Sequence, residues 1–214
     1  MVKIAIFLNG NYDQKEFYIN QIKKQDILIS VDGGTDFLFK IKKLPDMLIG
    51  DLDSIGQKSL SWVKKNGIKI LRYPEDKDYS DFELALKEAI SLRPDKITVF
   101  GGFGKRRDHE YSSLMVASKY SQKMQISLED KSCSLFFARE GAKNIIPCKK
   151  GDTVSLIPFS YSVKKITSHG LKWVLKGETI FRSESRTLSN EAVSGQPYFY
   201  LSTGLLLVVV NKKS

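Results

Sequence analysis

The sequence is poor in the residues that build thiolate metal centres, disulfide frameworks and membrane spans. Its 214 residues include two cysteines and two histidines, and Cys133 and Cys148 match no zinc-ligand spacing. We therefore interpret both thiols as structural, in a protein of a reducing compartment. The longest uncharged apolar run, Leu205–Val210, is far shorter than the ~20 residues that cross a bilayer, so we expect no membrane association.

Signatures of export and of the common nucleotide-binding folds are also missing. The N-terminus is apolar only as far as Leu8, which is too short for a secretory signal with its cleavage site and indicates a buried first strand. We therefore expect a cytoplasmic protein. No Gly-x-Gly-x-x-Gly follows that strand, and the chain contains no Gly-x-x-x-x-Gly-Lys-Ser/Thr. A dinucleotide-binding fold and a P-loop are therefore both unsupported.

Positive charge is in excess. The formal net charge is +10 at pH 7, which can indicate nucleic-acid binding. However, the lysines are spread in pairs along the chain, and no stripe interleaves them with aromatic residues. Solvated faces, and an electric field that attracts a small polyanion, explain the charge at least as well. We predict a small-molecule partner and no nucleic acid.

Short apolar runs alternate with helical patterns in the first 130 residues. Strands that are apolar without alternation are buried on both faces, which predicts a parallel α/β sheet. After about residue 130 the pattern changes to short strands separated by Gly, Pro, Ser and Lys, which is typical of a small all-β sandwich. We therefore predict an α/β domain over residues 1–130, followed by a β-sandwich domain over residues 131–214.

The predicted elements can be given by residue range. The predicted strands of the first domain are 3–8, 27–31, 47–49, 69–72, 96–100 and 125–128. The predicted helices are 13–24, 35–43, 60–65, 80–92 and 109–120. The predicted strands of the second domain are 135–137, 153–157, 163–166, 173–175, 198–202 and 205–210.

Four polar segments follow predicted strands of the first domain. Three of them are acidic: Asp32-Gly33-Gly34, Gly50–Ser54 and Asp76–Asp81. The fourth, Gly101–His109, combines glycines with three consecutive cations. Because ligands bind at the carboxyl ends of the strands in such a sheet, we expect the four segments to meet at one edge. Carboxylates that bind a divalent cation beside a loop that holds phosphate are what phosphoryl transfer requires.

Asp51 and Asp53 are candidate ligands of a divalent cation. In an extended segment, residues i and i+2 face the same side, so both carboxylates can reach one ion. Asp78 and Asp81 could add oxygen ligands or orient the waters of the ion. Carboxylate oxygen without histidine or cysteine suits Mg²⁺. The alternative is turn chemistry, because Asp is common beside Gly and Ser in turns and favours helix N-termini.

Glycines in two segments are candidate phosphate contacts. Asp32-Gly33-Gly34 places glycine N–H groups at the start of a helix, where they can meet an anion, or it forms a simple tight turn. Gly101, Gly102 and Gly104 allow the backbone to approach phosphate closely. We therefore interpret both segments as parts of a nucleotide site.

The cations after Gly104 fit the same site. Lys105, Arg106 and Arg107 offer charge, and an arginine fork matches two phosphate oxygens. Three cations at a helix N-terminus oppose the helix dipole, which a bound anion would relieve. We interpret Asp108 as orienting an arginine or touching the metal, and His109 as a helix-start or phosphate contact rather than a general base.

Two polar islands interrupt the apolar strands of the second domain, Ser168–Trp173 and Thr187–Glu191. An aromatic ring and an amide are what a flat heterocycle needs for stacking and edge hydrogen bonds. The alternative interpretation is a core tryptophan and a polar turn, which the residues alone favour slightly.

Together, these motifs resemble the thiamine pyrophosphokinase family over nearly the whole chain. Each motif is short, and the specificity lies in their order and spacing. The matching motifs, in order, are Asp32-Gly33-Gly34, Pro45-Asp46, Ile49–Ser54, Lys77–Phe82, Gly101-Gly102-x-Gly104-x-Arg106-x-Asp108-His109, Gly170–Trp173 and Ser189-Asn190-Glu191.

The resemblance implies a homodimer that transfers a diphosphoryl group from ATP to the hydroxyl of thiamine, giving thiamine diphosphate and AMP. By that similarity Asp51, Asp53 and Asp81 would hold Mg²⁺, and the catalytic residues would be Asp51, Asp53, Asp78, Asp81 and Arg106. The implied nucleotide-binding residues are Asp32, Gly33, Gly34, Gly101, Gly102, Gly104, Arg106, Asp108 and His109. Trp173, Ser189 and Asn190 would contact thiamine near the dimer interface.

One departure from the family pattern concerns the glycine loop. The family often has Gly-Gly before the arginine, whereas this chain has Gly104-Lys105. Lys105 either adds a phosphate contact or restricts the loop, and the sequence leaves both open.

Two other functions remain open at this point. A diphosphokinase for another hydroxymethyl heterocycle, such as a pterin, would keep the acidic and glycine motifs but lose the Trp173 and Ser189-Asn190 islands. A non-catalytic nucleotide- or nucleic-acid-binding module would bind without Mg²⁺ and with a steep salt dependence. The paired carboxylates argue against that module, because they would repel phosphate in the absence of a cation.

Overall fold

The structure is a computed structural model that describes residues 1–76 and 78–213. Lys77, part of the third acidic segment, lies outside the described residues. The chain divides into two compact units, residues 1–117 with 124–131 and residues 118–123 with 132 onward. Within the described residues, no helix has both the length and the apolar character needed to span a bilayer.

The first unit alternates strands and helices, as predicted. Its strands are β1 (Lys3–Phe7), β2 (Ile27–Val31), β3 (Met47–Gly50), β4 (Lys69–Arg72), β5 (Lys96–Phe100) and β6 (Gln125–Glu129). The helices are α1 (Lys15–Ile22), α2 (Gly34–Lys40), α3 (Gln57–Lys65), α4 (Asp81–Ser91) and α5 (Arg107–Tyr120), the last of which extends beyond residue 117.

All six strands of this unit run parallel, in the order β6-β5-β1-β2-β3-β4. The chain adds β2, β3 and β4 on one side of β1 and then adds β5 and β6 on the other side. The direction of winding therefore reverses at β1. A crevice forms at the carboxyl ends of the strands beside such a reversal, and it is the usual ligand site of this architecture.

Buried apolar side chains hold the helices against this sheet. Residues of β1, β2 and β5 pack with α1 and α2 in one cluster that includes Phe7, Tyr18, Phe37 and Phe100, each at most 6% exposed. At the start of α4, the N–H of Glu83 donates to Oγ of Ser80 at 3.2 Å, so Ser80 caps the helix. The start of α4 is thereby set at Asp81.

Apart from the end of α5, the regular elements of the second unit are strands in two antiparallel sets, so the predicted fold class is confirmed. One set has the order β12-β9-β14-β7 and the other β11-β10-β13-β8. A single apolar core, which includes Val154, Val208, Ile166 and Phe199, lies between them. The strands are β7 (Cys133–Phe137), β8 (Asn144–Ile145), β9 (Thr153–Pro158), β10 (Ser162–His169), β11 (Lys176–Phe181), β12 (Asn190–Glu191), β13 (Tyr198–Tyr200) and β14 (Leu206–Asn211).

One predicted strand is wrong, two short strands were not predicted, and the bounds of several other elements differ from the predicted ones. Residues 173–175 form no strand; the strand in this region is β11, which begins at Lys176. The apolar triplet Trp173–Leu175 lies in a loop, where Trp173 and Val174 are 58% and 45% exposed. The two-residue strands β8 and β12 were not predicted, and α3 begins three residues earlier than predicted, at Gln57.

Candidate active site

A cavity of about 700 Å³ lies at the carboxyl ends of β1, β2, β3 and β5. Its lining includes all four polar segments predicted to meet there: Asp32, Asp51, Asp53, Ser54, Asp78, Ser80, Asp81, Gly101, Gly102, Lys105, Arg106 and His109. Asp51 and Asp53 also line an adjoining cavity of about 520 Å³, together with Arg72 and Tyr73. The parallel sheet thus places side chains that are distant in sequence around one space.

Three carboxylates form the acidic centre of this site. Oxygens of Asp32, Asp51 and Asp53 lie within 4.8 Å of one another, with Asp32 buried, Asp51 half-buried and Asp53 exposed. Such an all-oxygen set on a partly open wall suits Mg²⁺, which retains several waters and shares phosphate oxygens. Asp32, which the family resemblance assigns to the nucleotide, is therefore also a candidate metal ligand.

Burial and charge repulsion raise the pKa of Asp32, the most buried of the three carboxylates. The pKa of Asp32 is raised to about 7, first because burial disfavours the charged form, and then because the Asp81, Asp51 and Asp53 carboxylates are close to it. A hydrogen bond from the Leu52 N–H to Oδ1 of Asp32, at 3.1 Å, acts in the opposite direction. A divalent cation at this position would relieve the repulsion, so the residues present fit the metal.

The turn after β3 brings Asp51 and Asp53 together, and not the extended backbone that the sequence analysis assumed. Leu52 has a left-handed conformation with φ 73°, and the N–H of Asp53 donates to Oδ1 of Asp51 at 3.1 Å. Gly50 precedes this turn with φ 147°. The two carboxylates are neighbours as predicted, but the reason given for their proximity was wrong.

The third acidic segment leads into α4. Ser80 caps this helix, Asp81 is its first residue, and one oxygen of Asp81 is buried. Asp78 is exposed at the wall of the cavity. Glu75 also lines both cavities, although the sequence analysis did not single it out because it follows a proline in a loop without a recognisable motif.

The two glycines after Asp32 serve close packing. A Cβ added at Gly34 would collide with the carbonyl oxygen of Phe7, and one added at Gly33 would collide with the Asn9 side chain. Neither glycine is among the residues that line the cavity. The geometry agrees best with the tight-turn alternative, in which the glycines let α2 begin against the end of β1.

The glycine loop after β5 needs glycine at two positions, where φ is 69° at Gly101 and 101° at Gly104. Gly101 and Gly102 line the cavity, whereas the Gly104 N–H donates to Oε1 of Glu110 at 2.6 Å. Because that N–H already has a carboxylate partner within the chain, Gly101 and Gly102 are the better candidates for contact with phosphate.

The basic side chains of this loop are partly paired. Arg106 donates to both carboxylate oxygens of Asp108, at 3.2 and 2.5 Å. This arginine lowers the pKa of Asp108, and the carboxylate in turn raises the pKa of Arg106. Of the two residues, Arg106 lines the cavity, so Asp108 is bonded to an arginine that faces the site.

A segment that the sequence analysis missed holds this loop in place. The N–H of Asn11 donates to the Phe103 carbonyl at 2.8 Å, and its side chain donates to the Gly104 carbonyl at 2.9 Å. The hydroxyl of Tyr12 donates to the Leu8 carbonyl at 2.6 Å. No local pattern indicates the two Asn11 contacts, because they join residues more than 90 positions apart.

In the second unit, Trp173 is exposed, so the alternative interpretation of a core tryptophan is wrong. Its backbone is fixed by the buried Asn190, whose Oδ1 accepts from the Trp173 N–H at 3.1 Å and whose Nδ2 donates to the Trp173 carbonyl at 2.7 Å. The N–H of Ser189 donates to Oγ of Ser155 at 3.0 Å, and Ser189 has φ 56°. Asn190 therefore positions an exposed indole instead of presenting a free amide.

Comparison with known proteins agrees with both units. The family model for the thiamin pyrophosphokinase catalytic domain matches residues 18–128, which is more than half of the chain. The model for the thiamin pyrophosphokinase vitamin B1 binding domain matches residues 125–206. The chain belongs to the thiamine pyrophosphokinase family.

Individual members of the thiamine pyrophosphokinase family show how far the similarity extends. The thiamine pyrophosphokinase of Bacillus subtilis is 29% identical over 182 residues, 85% of each chain. Thiamine pyrophosphokinase 1 of Oryza sativa is 26% identical over 145 residues, and the match spans 54% of the rice protein. This chain therefore spans about half the length of such plant relatives.

Solved structures of the family share the fold along the whole chain. The Bacillus subtilis crystal structure has a TM-score of 0.87 at 24% identity, covering 99% of this chain and 100% of that chain. The thiamin pyrophosphokinase of Geobacillus thermodenitrificans has a TM-score of 0.84 at 25% identity, covering 100% and 99%.

The raised pKa of Asp32 predicts that this carboxylate destabilises the metal-free protein. The unfolded chain loses this proton near the ordinary pKa of 3.8, whereas the folded protein keeps it up to about pH 7. The contribution of Asp32 to stability is therefore complete below pH 3.8 and is lost as the pH rises through 7. Asp32→Asn keeps the acceptor for Leu52 and removes the charge. We expect its Tm at pH 8 in chelator to exceed wild type by about 2–4 °C.

Thermal unfolding at pH 8 and pH 5, with and without Mg²⁺, checks this expectation. The gain should shrink at pH 5, and Mg²⁺ should stabilise the wild type more than the variant. Asp13→Asn, at an exposed position, controls for the loss of one negative charge. An Asp32→Asn protein that melts at or below the wild-type temperature in chelator at pH 8 would contradict the electrostatic explanation.

Proposed function

We propose that this protein transfers the diphosphoryl group of ATP to the hydroxyl of thiamine and releases AMP. The observation that carries the proposal is the single cavity in which the three clustered carboxylates, Asp32, Asp51 and Asp53, share a wall with the glycine loop. Membership of the thiamine pyrophosphokinase family, whose members bear this activity in their name, supports the choice of reaction and acceptor.

The residues of the site suit in-line attack of a primary alcohol on the β-phosphorus of ATP, with the bond to the α-phosphate oxygen breaking. Asp51 and Asp53, with Asp81 or Asp32, would hold Mg²⁺, which when bound neutralises phosphate charge and orients the phosphate oxygens. Arg106 would neutralise the charge that develops in the transition state. Asp78 or Asp81 would accept the proton of the alcohol, unless the same carboxylate is a metal ligand.

The nucleotide would extend along the glycine loop. In this proposal Gly101 and Gly102 face the phosphates, and Arg106, held by Asp108, and His109 contact them from the start of α5. Asp32 lies between the nucleotide and the metal-binding carboxylates and can serve either. The α/β domain of residues 1–130 would thus carry ATP and Mg²⁺.

The β-sandwich domain of residues 131–214 would carry thiamine, in line with its match to the vitamin B1 binding domain. Thiamine is a cation with flat rings, which suits stacking on an exposed indole such as Trp173. Asn190 would position that ring, and Ser189 would lie beside the ligand.

We further propose that the protein acts as a cytoplasmic homodimer with its site near the interface, and that neither nucleic acid nor membrane is a partner.

The test is to incubate the protein with ATP, Mg²⁺ and thiamine and to separate the products by chromatography. We expect AMP and thiamine diphosphate in equal amounts, and neither when thiamine or Mg²⁺ is omitted. ADP in place of AMP would refute diphosphoryl transfer. AMP formed with a hydroxymethylpterin but not with thiamine would assign the protein to the alternative acceptor.

A further inference from the structure

The three consecutive cations at the glycine loop have different kinds of partner. Arg106 is bonded to the Asp108 carboxylate, and Arg107 donates to Oε2 of Glu110 at 2.8 Å. Lys105 donates instead to the amide oxygen Oδ1 of Asn9, at 2.6 Å. The charges of the two arginines are balanced within the chain, whereas the partner of Lys105 is neutral.

Lys105 and Asn9 both line the cavity that holds the carboxylate cluster. A lysine ammonium has three N–H donors, and the Asn9 oxygen occupies one of them. Two donors remain for an anion in the cavity. The positive charge is thus on the wall that also carries Arg106, and the candidate metal-binding carboxylates line the same space. A polyphosphate there would lie between these two cations and the Mg²⁺ that the carboxylates would hold.

Asn9 is held on two sides. Its side chain packs so closely on Gly33 that an added Cβ at Gly33 would lie 2.6 Å from Nδ2 of Asn9. The next residue, Gly10, packs against the Phe103 and Gly101 carbonyl oxygens of the glycine loop. The position of Asn9, and through it the position of the Lys105 ammonium, is therefore set by both glycine segments.

The backbone at Lys105 shows that the departure from the family pattern does not strain the glycine loop. Lys105 is not among the described residues with positive φ, a conformation that falls instead on Gly104. A side chain at this position therefore imposes no strain on the loop. The match to the catalytic-domain model begins at residue 18, so Asn9 lies outside the region that the model matches.

We propose that Lys105, positioned by Asn9, binds the phosphates of ATP. This inference rests on the proposed function in one respect, that the ligand of the cavity is a Mg²⁺-bound nucleoside triphosphate. Lys105 supplies a point charge where the family often has glycine, and Asn9 acts through Lys105 as a positioning residue. The contact is made equally in the ground state and the transition state, so it sets the affinity for ATP and not the rate of the chemical step.

Lys105→Ala tests the phosphate contact. We expect its KM for ATP to rise about five- to tenfold, with kcat within about twofold of wild type. The increase of KM with ionic strength should also become shallower, because one cation has been removed from the site. Lys58→Ala, at an exposed lysine of α3 that does not line either cavity, should leave both parameters unchanged. An unaltered KM for ATP in Lys105→Ala would overturn the proposal.

A double-mutant cycle tests the role of Asn9. We expect Asn9→Ala to raise the KM for ATP about two- to threefold and to have no further effect in the Lys105→Ala background. Asn9→Asp should also raise the KM, because a carboxylate would neutralise Lys105, and Lys105→Arg should restore most of the affinity. Equal effects of Asn9→Ala in both backgrounds would show that Asn9 does not act through Lys105.

Equilibrium binding separates this inference from the proposed reaction. Calorimetric titration of wild type and Lys105→Ala with Mg²⁺-ATP, without thiamine, measures the contact directly. A wild-type protein that forms no AMP but binds Mg²⁺-ATP more tightly than Lys105→Ala would refute the reaction and support the contact. Equal affinities would refute the contact whatever the reaction.

Discussion

Asp51→Asn is expected to lower thiamine-dependent AMP formation by at least ~10²-fold. Asp51 lies in the carboxylate cluster, and it borders both cavities of the site. An amide in its place supplies a neutral oxygen, so the cluster would bind Mg²⁺ more weakly and would neutralise less of the phosphate charge. Because Asp51 is only half-buried, the fold should persist, and the Tm in chelator should stay within a few degrees of wild type.

The measurement is kcat for AMP release at saturating ATP over a range of Mg²⁺ concentrations. Asp76→Asn is the matched control, because Asp76 belongs to the acidic segment before α4 but does not line either cavity. The control should retain near-normal turnover. If Asp51→Asn retained it as well, the metal assignment would be wrong.

Gly50→Ala is expected to lower the free energy of unfolding by about 2–4 kcal/mol and to lower turnover more than tenfold. Gly50 has φ 147°, a conformation that L side chains rarely adopt, and an added Cβ would collide with the Asp32 carboxylate. That carboxylate accepts the hydrogen bond from Leu52 which holds the turn. The substitution would therefore strain the backbone at Gly50. It would also displace the Asp32 carboxylate and the turn that carries Asp51 and Asp53.

Urea unfolding in chelator measures the loss of stability, and Gly67→Ala separates its two causes. Gly67 also has a positive φ, of 67°, but nothing lies within 4 Å of an added Cβ there. Its substitution should cost only the backbone strain, about 1 kcal/mol, and leave turnover intact. The collision with Asp32 would be disproved if Gly50→Ala lowered the free energy of unfolding no more than Gly67→Ala does.

The elements that the sequence predicted well are those whose patterns are local. β2 and β5 are short apolar runs ended by polar turns, and α4 begins at a recognisable cap at Ser80. The predictions that failed depend on which residues are buried, and no local sequence pattern reports burial. Trp173–Leu175 has the composition of a strand, but the loop exposes its indole because Asn190 binds its backbone from 17 positions away.

The composition and the order of the motifs by themselves determined that this is an α/β protein with an acidic and glycine-rich site, and pointed to its family. Parallel strands carry their carboxyl ends to one edge, so Asp32, Asp51 and Gly101 had to converge. Only the tertiary structure decided which side chains and N–H groups contact one another at that edge. It placed Asp32 in the carboxylate cluster, gave the Gly104 N–H to Glu110, and tied Lys105 to Asn9, because side-chain contacts between distant segments follow from packing and leave no periodicity in the sequence.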